Sequence, residues 1–187
     1  MASTNELCKV PHRNFKANFF KTECSLRTFV LACSLAGIIV MATSKQTKLI
    51  AVQVSGQVLQ VENSVKFNTT PAFIYLVAAL SVLGFYSLIS IVASIALKKY
   101  QSNKILFNFI LIDLLMVGIA SAATGAAGSI AYTGLKGNSH ARWGKVCNVY
   151  DTFCHHVGAS VAFSLVASLT LVILVMLSTY TLYRRSS

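Results

Sequence analysis

Four stretches of the chain are strongly apolar and nearly free of charge: 27–44, 71–97, 105–132 and 157–183. A helix needs about 20 such residues to cross a hydrocarbon core ~30 Å thick. The last three exceed that length and leave residues for tilt or for interfacial ends. The first is the shortest, with Arg27 at its start and Thr43, Ser44 and Lys45 at its exit, but it carries no charge from Leu31 to Met41. The 26 mostly polar residues ahead of it set it apart from a cleaved signal peptide. The pattern predicts an all-α membrane protein, a four-transmembrane-helix bundle. Residues 1–26 form its flank, 27–183 its membrane domain and 184–187 its tail.

An even number of crossings places both ends on one side. The flanks on that side, 1–26, 98–104 and 184–187, hold nine Lys and Arg in 37 residues, while the loops 45–70 and 133–156 hold six in 50. The bias predicts that both termini are cytoplasmic. Pro71 suits the first turn of a helix, where its missing N–H costs nothing, and Thr69 or Thr70 can cap it. The loop from Lys98 to Lys104 is short enough to make the second and third helices antiparallel neighbours. Tyr100 beside Lys98 and Lys99, and Tyr183 beside Arg184, read as interfacial anchors.

Composition narrows the class further. Of 187 residues, 55% are hydrophobic and 11% charged, against roughly 25% charged in soluble domains. The net charge is +11, yet the mean hydropathy is +0.66. A nucleic-acid binder of that charge would spread its Lys and Arg over a solvated surface with few apolar runs, so nucleic acid is not the expected partner. No Gly-rich phosphate loop, Ser/His/Asp set or pair of carboxylates occurs in the sequence. The chain is therefore read as a non-enzyme, with no catalytic residue, no cofactor and no metal.

Only Arg27 and Asp113 carry charge inside the four stretches. An ionisable group in lipid normally faces the protein interior with a partner. Asp113 lies eight residues past Ile105, roughly 12 Å deep at 1.5 Å per residue. Arg27 enters from the same side and has a long side chain, so an intramembrane ion pair between the first and third helices is the leading reading. The alternatives are a lone snorkelling Arg27 and an Asp113 that serves as a proton or cation site in a small transporter or channel. Farther along the third span, Ser121, Gly125 and Ser129 recur every four residues, a spacing that admits another backbone closely. Packing within the bundle is the first reading of that stripe, and contact between copies the second.

The loop 133–156 contains Cys147 and Cys154, whose six-residue gap can close a disulfide in an oxidising compartment. A redox-catalytic pair would more often be Cys-x-x-Cys. His140, His155 and His156 lie nearby, but their spacing fits no standard zinc pattern. Cys8 and Cys24 lie on the flank and Cys33 in the first span; Cys24 is juxtamembrane and so a candidate for acylation, with an unmodified thiol as the plainer reading. Asn68-Thr69-Thr70 is a glycosylation sequon, but its place against the membrane and before Pro71 predicts an unoccupied Asn68.

Taken together these residues resemble the Casparian strip membrane domain proteins of plants and their CASP-like relatives, group 1 in particular, within the wider MARVEL-type tetraspan group. The resemblance runs from Leu26 to the C-terminus. It rests on Arg27, Ile39-Val-Met-Ala-Thr-Ser-Lys-Gln-Thr47, Pro71-Ala-Phe-Ile-Tyr75, Tyr86-Ser-Leu88, Asp113 and Lys136-Gly-Asn-Ser139, followed by Trp143-x3-Cys147-x6-Cys154. It implies a multi-pass protein of the plasma membrane that forms homo-oligomers and hetero-oligomers with related membrane proteins. Membrane lipid and apoplastic or cell-wall components are the further partners it implies. The family's paired Arg and Asp fall on Arg27 and Asp113, and its loop cysteines on Cys147 and Cys154. The loop 45–70 lacks the acidic and aromatic stretch of the Casparian-strip members proper. The resemblance therefore implies the broader scaffold role, organising membrane subdomains and local cell-wall modification.

Overall fold

A computed structural model of the chain describes residues 12–54, 57–65, 70–96, 103–137, 140 and 144–186. Its elements in order are α1 (His12–Ala42), β1 (Gln46–Val54), β2 (Gln57–Val65), α2 (Pro71–Ala96), α3 (Asn103–Lys136), a 3-10 turn (Val146–Asn148) and α4 (Asp151–Ser186). The four-helix architecture is the one the hydropathy pattern predicts, and all four helices are long and apolar enough to cross a membrane.

The helices outrun the apolar stretches. From His12 to Leu26 the sequence has no Gly or Pro to stop a helix, and α1 begins 15 residues before Arg27 rather than at it. Arg27 therefore sits seven residues past Phe20, where the apolar part of α1 starts, roughly 10 Å along the axis. At its other end α3 continues past Tyr132 to Lys136. It stops where Gly137 takes φ 73° and its N–H donates to the Thr133 carbonyl at 2.8 Å, a left-handed cap that glycine adopts without a Cβ penalty. Thr70 precedes Pro71, and its carbonyl accepts from the N–H groups of Phe73 and Ile74. Asp151 places a negative charge in the first turn of α4, where the helix dipole favours it.

Each helix packs on its chain neighbours, and α4 closes the ring on α1, giving an up-down bundle in which α1 and α3 lie diagonally. Two apolar clusters fill it. Toward the end bearing the loops, Met41, Phe73, Leu76, Leu80, Ala127 and Phe153 pack together; toward the end bearing the termini, Val30, Cys33, Leu83, Ala120, Ala167 and Leu171 do. Small polar side chains join the helices between them. Ser160 Oγ on α4 donates to the Gly37 carbonyl of α1 at 2.8 Å, and Thr124 Oγ1 on α3 lies 2.6 Å from Ser164 Oγ on α4. Gly37 is small because α2 and α4 both close on it: a Cβ there would meet Leu80 Cδ1 at 3.0 Å, Phe163 Cβ at 3.6 Å and the Ser160 carbonyl at 3.7 Å. The outer surface carries large apolar side chains such as Phe85, Val92, Leu115, Leu169 and Met176, all exposed. A soluble monomer does not expose an apolar belt of that extent; hydrocarbon solvates it.

The loop between α1 and α2 adds a feature that the periodicity reading did not include. β1 and β2 form a two-stranded antiparallel ribbon with Gln46 opposite Val65, Ile50 opposite Val61 and Val54 opposite Gln57.

Candidate functional site

The buried charges meet in the half of the bundle nearer the termini. Arg27 on α1 is 2% exposed and Asp113 on α3 is fully buried. Arg27 Nη1 donates to Asp113 Oδ1 at 3.1 Å and Nη2 to Oδ2 at 2.8 Å, so the guanidinium grips both carboxylate oxygens at once. Their depths explain the meeting, because Asp113 lies nine residues past Lys104, where the apolar part of α3 starts, about 13 Å along the axis. Three further residues complete the cluster. Glu23, one turn before Arg27, accepts from its Nε and Nη2 at 3.4 Å each. Tyr86 on α2 donates its hydroxyl to Asp113 Oδ1 at 2.7 Å. The rings of Tyr86 and Phe109 flank the guanidinium, their centroids 6.0 and 5.6 Å from Cζ, within cation–π range.

Sequence reasoning missed these three. Glu23 was legible as an i, i+4 partner of Arg27, and Phe109 stands at the same interval before Asp113. Tyr86 lies on a third helix, and no spacing rule links it to the pair. The cluster does not leave Arg27 as a lone snorkelling residue. Both oxygens of Asp113 are engaged and the group is shut off from solvent, so it acts as a counter-ion that ties α1, α2 and α3 together.

At the loop end, a disulfide joins Cys147 to Cys154, with Cα atoms 5.6 Å apart. It staples the 3-10 turn to the first turn of α4, where the Tyr150 carbonyl also accepts from the Cys154 N–H at 3.1 Å. Closing so small a loop is worth about 2 to 3 kcal/mol in the chain-entropy description. The histidines stand apart from it: His155 Nε2 lies 3.3 Å from Asp151 Oδ1 in an exposed pair, His156 Nδ1 contacts the Thr152 carbonyl, and His140 is exposed. No group of three or more metal-ligating side chains occurs among the described residues. Cys24 is a free, half-buried thiol and Cys33 a buried one. Cys8, Asn68, Lys98, Lys99, Tyr100 and Trp143 lie outside the described residues.

The stripe on α3 departs from its first reading. Ser121, Gly125 and Ser129 are exposed, and a Cβ at Gly125 would meet nothing within 4 Å. The bundle instead buries the other side of α3, through Ala120, Ala123, Thr124 and Ala127. Small residues on an all-apolar helix mark close approach without saying to what, which is why spacing alone pointed inward. Ser121 Oγ donates to the carbonyls of Val117 and Gly118, and Ser129 Oγ to that of Ala126. With their hydroxyls satisfied on their own helix, both serines can face lipid or another apolar surface.

The family model for the Casparian strip membrane protein domain matches residues 16–170, which takes in most of α1, all of α2 and α3 and more than half of α4. The chain belongs to this family. Its similarity to the CASP-like branch, group 1, is specific. It is 49% identical to CASP-like protein 1D1 of Populus trichocarpa over 172 residues, covering 91% of this chain and 87% of that one. The protein of the same name from Vitis vinifera is 51% identical over 171 residues, 90% of this chain and 81% of the relative. The one from Musa acuminata is 50% identical over 171 residues, 90% of each. No solved structure matches the chain. With its family and its four apolar helices, the chain is a multi-pass membrane protein. Arg27, Tyr86, Asp113, Cys147 and Cys154 all lie inside the family's matched region.

Proposed function

We propose that this CASP-like chain is a non-enzymatic scaffold of the plasma membrane that associates laterally with copies of itself and with related tetraspans. Both termini are cytoplasmic, and the ribbon and disulfide loop face the apoplast, where they meet cell-wall partners. In this reading the assembly organises a membrane subdomain and localises modification of the wall beside it. The outward face of α3 carries the argument. α3 is the least buried of the four spanning helices, and it presents Gly118, Ser121, Ala122, Gly125 and Ser129 away from the bundle, with open space around Gly118 and Gly125. In lipid, helix association depends on close backbone packing because there is no hydrophobic gain between helices, and this is the face of α3 on which a second backbone can approach. The apolar stretches of α3 and α4, 105–132 and 157–183, exceed the ~20 residues that a ~30 Å core needs, which suits a plasma membrane, one of the thicker bilayers. The engagement of Asp113 by Arg27 and Tyr86 counts against its use as a transport site.

Replacing Gly125 by Leu in the full chain tests the reading. Subunit counting by single-molecule photobleaching in nanodiscs, with fluorescence recovery of a tagged copy in a plant plasma membrane, should show smaller assemblies and faster recovery, while thermal stability is retained. Unchanged assembly with Gly125→Leu and Gly118→Leu combined, or free diffusion of the wild-type chain, would overturn it.

A further inference from the structure

The loop end of the bundle carries a half-open cavity of about 640 Å³, within the range of small-molecule sites, ~300–1,000 Å³. Its walls are the last turns of α3, the first two turns of α4, the start of α2 and the disulfide. Phe73 and Phe153 stand edge to face in its wall with centroids 6.2 Å apart. Ile130 and Val157 line its deeper part, and Leu135 and the Cys147–Cys154 bridge its outer part. Among the described residues no charged side chain lines it: Lys136 follows Leu135 and Lys145 lies between Gly144 and Val146, yet both stand exposed outside the lining. Its side-chain hydroxyls are Thr70, Thr133 and the largely exposed Tyr132, and Thr133 Oγ1 donates to the Ser129 carbonyl at 2.9 Å, which leaves its oxygen free to accept.

Depth identifies the source of an occupant. From Gly137 back to Ile130, and from Asp151 forward to Gly158, are seven residues each, so the cavity reaches roughly 10 Å into the bundle. α3 has 34 residues and α4 has 36, about 51 and 54 Å by rise, some 20 Å beyond a ~30 Å hydrocarbon core. The apolar stretches 105–132 and 157–183 end and begin among the lining residues, which places the cavity across the boundary between headgroups and hydrocarbon. A phospholipid or fatty acid would bring a charged group for which the described lining offers no charged partner. A single flexible chain would surrender rotamer freedom to fill the cavity, whereas a rigid ring system surrenders little.

We propose that this cavity binds a membrane sterol, with its ring body against Phe73, Phe153 and Val157 and its hydroxyl at the level of Thr70 and Thr133. The site is separate from the lateral face of α3 and does not depend on self-association.

The test uses the full chain in phosphatidylcholine nanodiscs containing a diazirine-bearing sterol, with irradiation and peptide mapping. Adducts should concentrate on 130–135 and 153–158 and be displaced by unlabelled sterol. The Gly158 Cβ position has nothing within 4 Å, so Gly158→Phe fills the cavity from α4 and should lower that labelling about tenfold; Ile130→Trp fills it from α3 should the first variant not accumulate. Gly118→Leu, near the middle of α3 and outside the cavity lining, should leave it unchanged, and reducing the disulfide should weaken it by opening one wall. Adducts spread evenly over the lipid-facing helices would overturn the proposal. So would full labelling of a folded Gly158→Phe protein with its disulfide intact. Displacement by a water-soluble phenol but not by sterol would overturn the membrane source, and protection by an anionic phospholipid alone would overturn the uncharged ligand.

Discussion

Removing the carboxylate of Asp113 is the sharpest perturbation the bundle offers. Asp113→Ala leaves Arg27, 2% exposed, with only Glu23 at 3.4 Å and two aromatic faces in place of a bidentate partner at 2.8 and 3.1 Å. Stranding one member of a buried pair costs about 3–5 kcal/mol, and Arg27→Ala should cost a similar amount. The double replacement Arg27→Met with Asp113→Leu removes both charges and keeps most of the volume, so it leaves chiefly the Tyr86 hydroxyl without its Asp113 acceptor, about 1–3 kcal/mol. The singles and the double, measured by reversible unfolding in mixed micelles or by steric trapping in bilayers, should therefore show a coupling energy of about 3 kcal/mol or more. The charge swap, Arg27→Asp with Asp113→Arg, should recover only part of the loss, because Glu23 would then face a second acid one turn away; adding Glu23→Gln to the swap should recover more. Single losses that add within about 0.5 kcal/mol, or a swap indifferent to Glu23, would refute the cluster as an energetic unit.

Tyr86→Phe keeps the ring beside Arg27 but removes the donor to Asp113, and should cost about 1.5–3 kcal/mol in the same unfolding assay, the range for hydrogen bonds to charged groups. Gly37→Leu should destabilise by about 1–3 kcal/mol or more through overpacking against Leu80 and Phe163, while Gly125→Leu should leave unfolding unchanged. Cys147→Ala with Cys154→Ala should lower stability by about 2–3 kcal/mol and abolish the mobility difference between reduced and unreduced protein on a denaturing gel. Ser160→Ala, which breaks the bond to the Gly37 carbonyl, should cost about 1 kcal/mol.

The span count was legible because length and hydropathy are one-dimensional properties, and Arg27 and Asp113 stood out because charge is rare in lipid. The inward and outward faces of α3 were not legible. In a soluble helix the polar face marks solvent, but here Ser121 and Ser129 bond back to their own backbone and face out, while the similar Ser160 and Thr124 join helices within. Tyr86 was hidden for a related reason, since only the ring order of the bundle brings α2 beside Asp113. The ribbon was legible in part: two β-branched runs flank Ser55-Gly56, a two-residue hairpin spacing, but charged and polar residues among Val, Ile and Leu blurred the alternation. Helix ends escaped because α1 continues through polar residues that end its apolar stretch without ending its helix.

The separation of the ion-pair partners has a consequence in time. Arg27 and Asp113 are 86 residues apart in the chain, and a ribosome adding ~5–20 residues per second needs about 4 to 17 s to travel from one to the other. Glu23 is already made when Arg27 appears and lies one helical turn away. The first helix therefore carries its own counter-ion into the bilayer, and the arrival of the third helix adds Asp113 beside Glu23 and ties the two helices together.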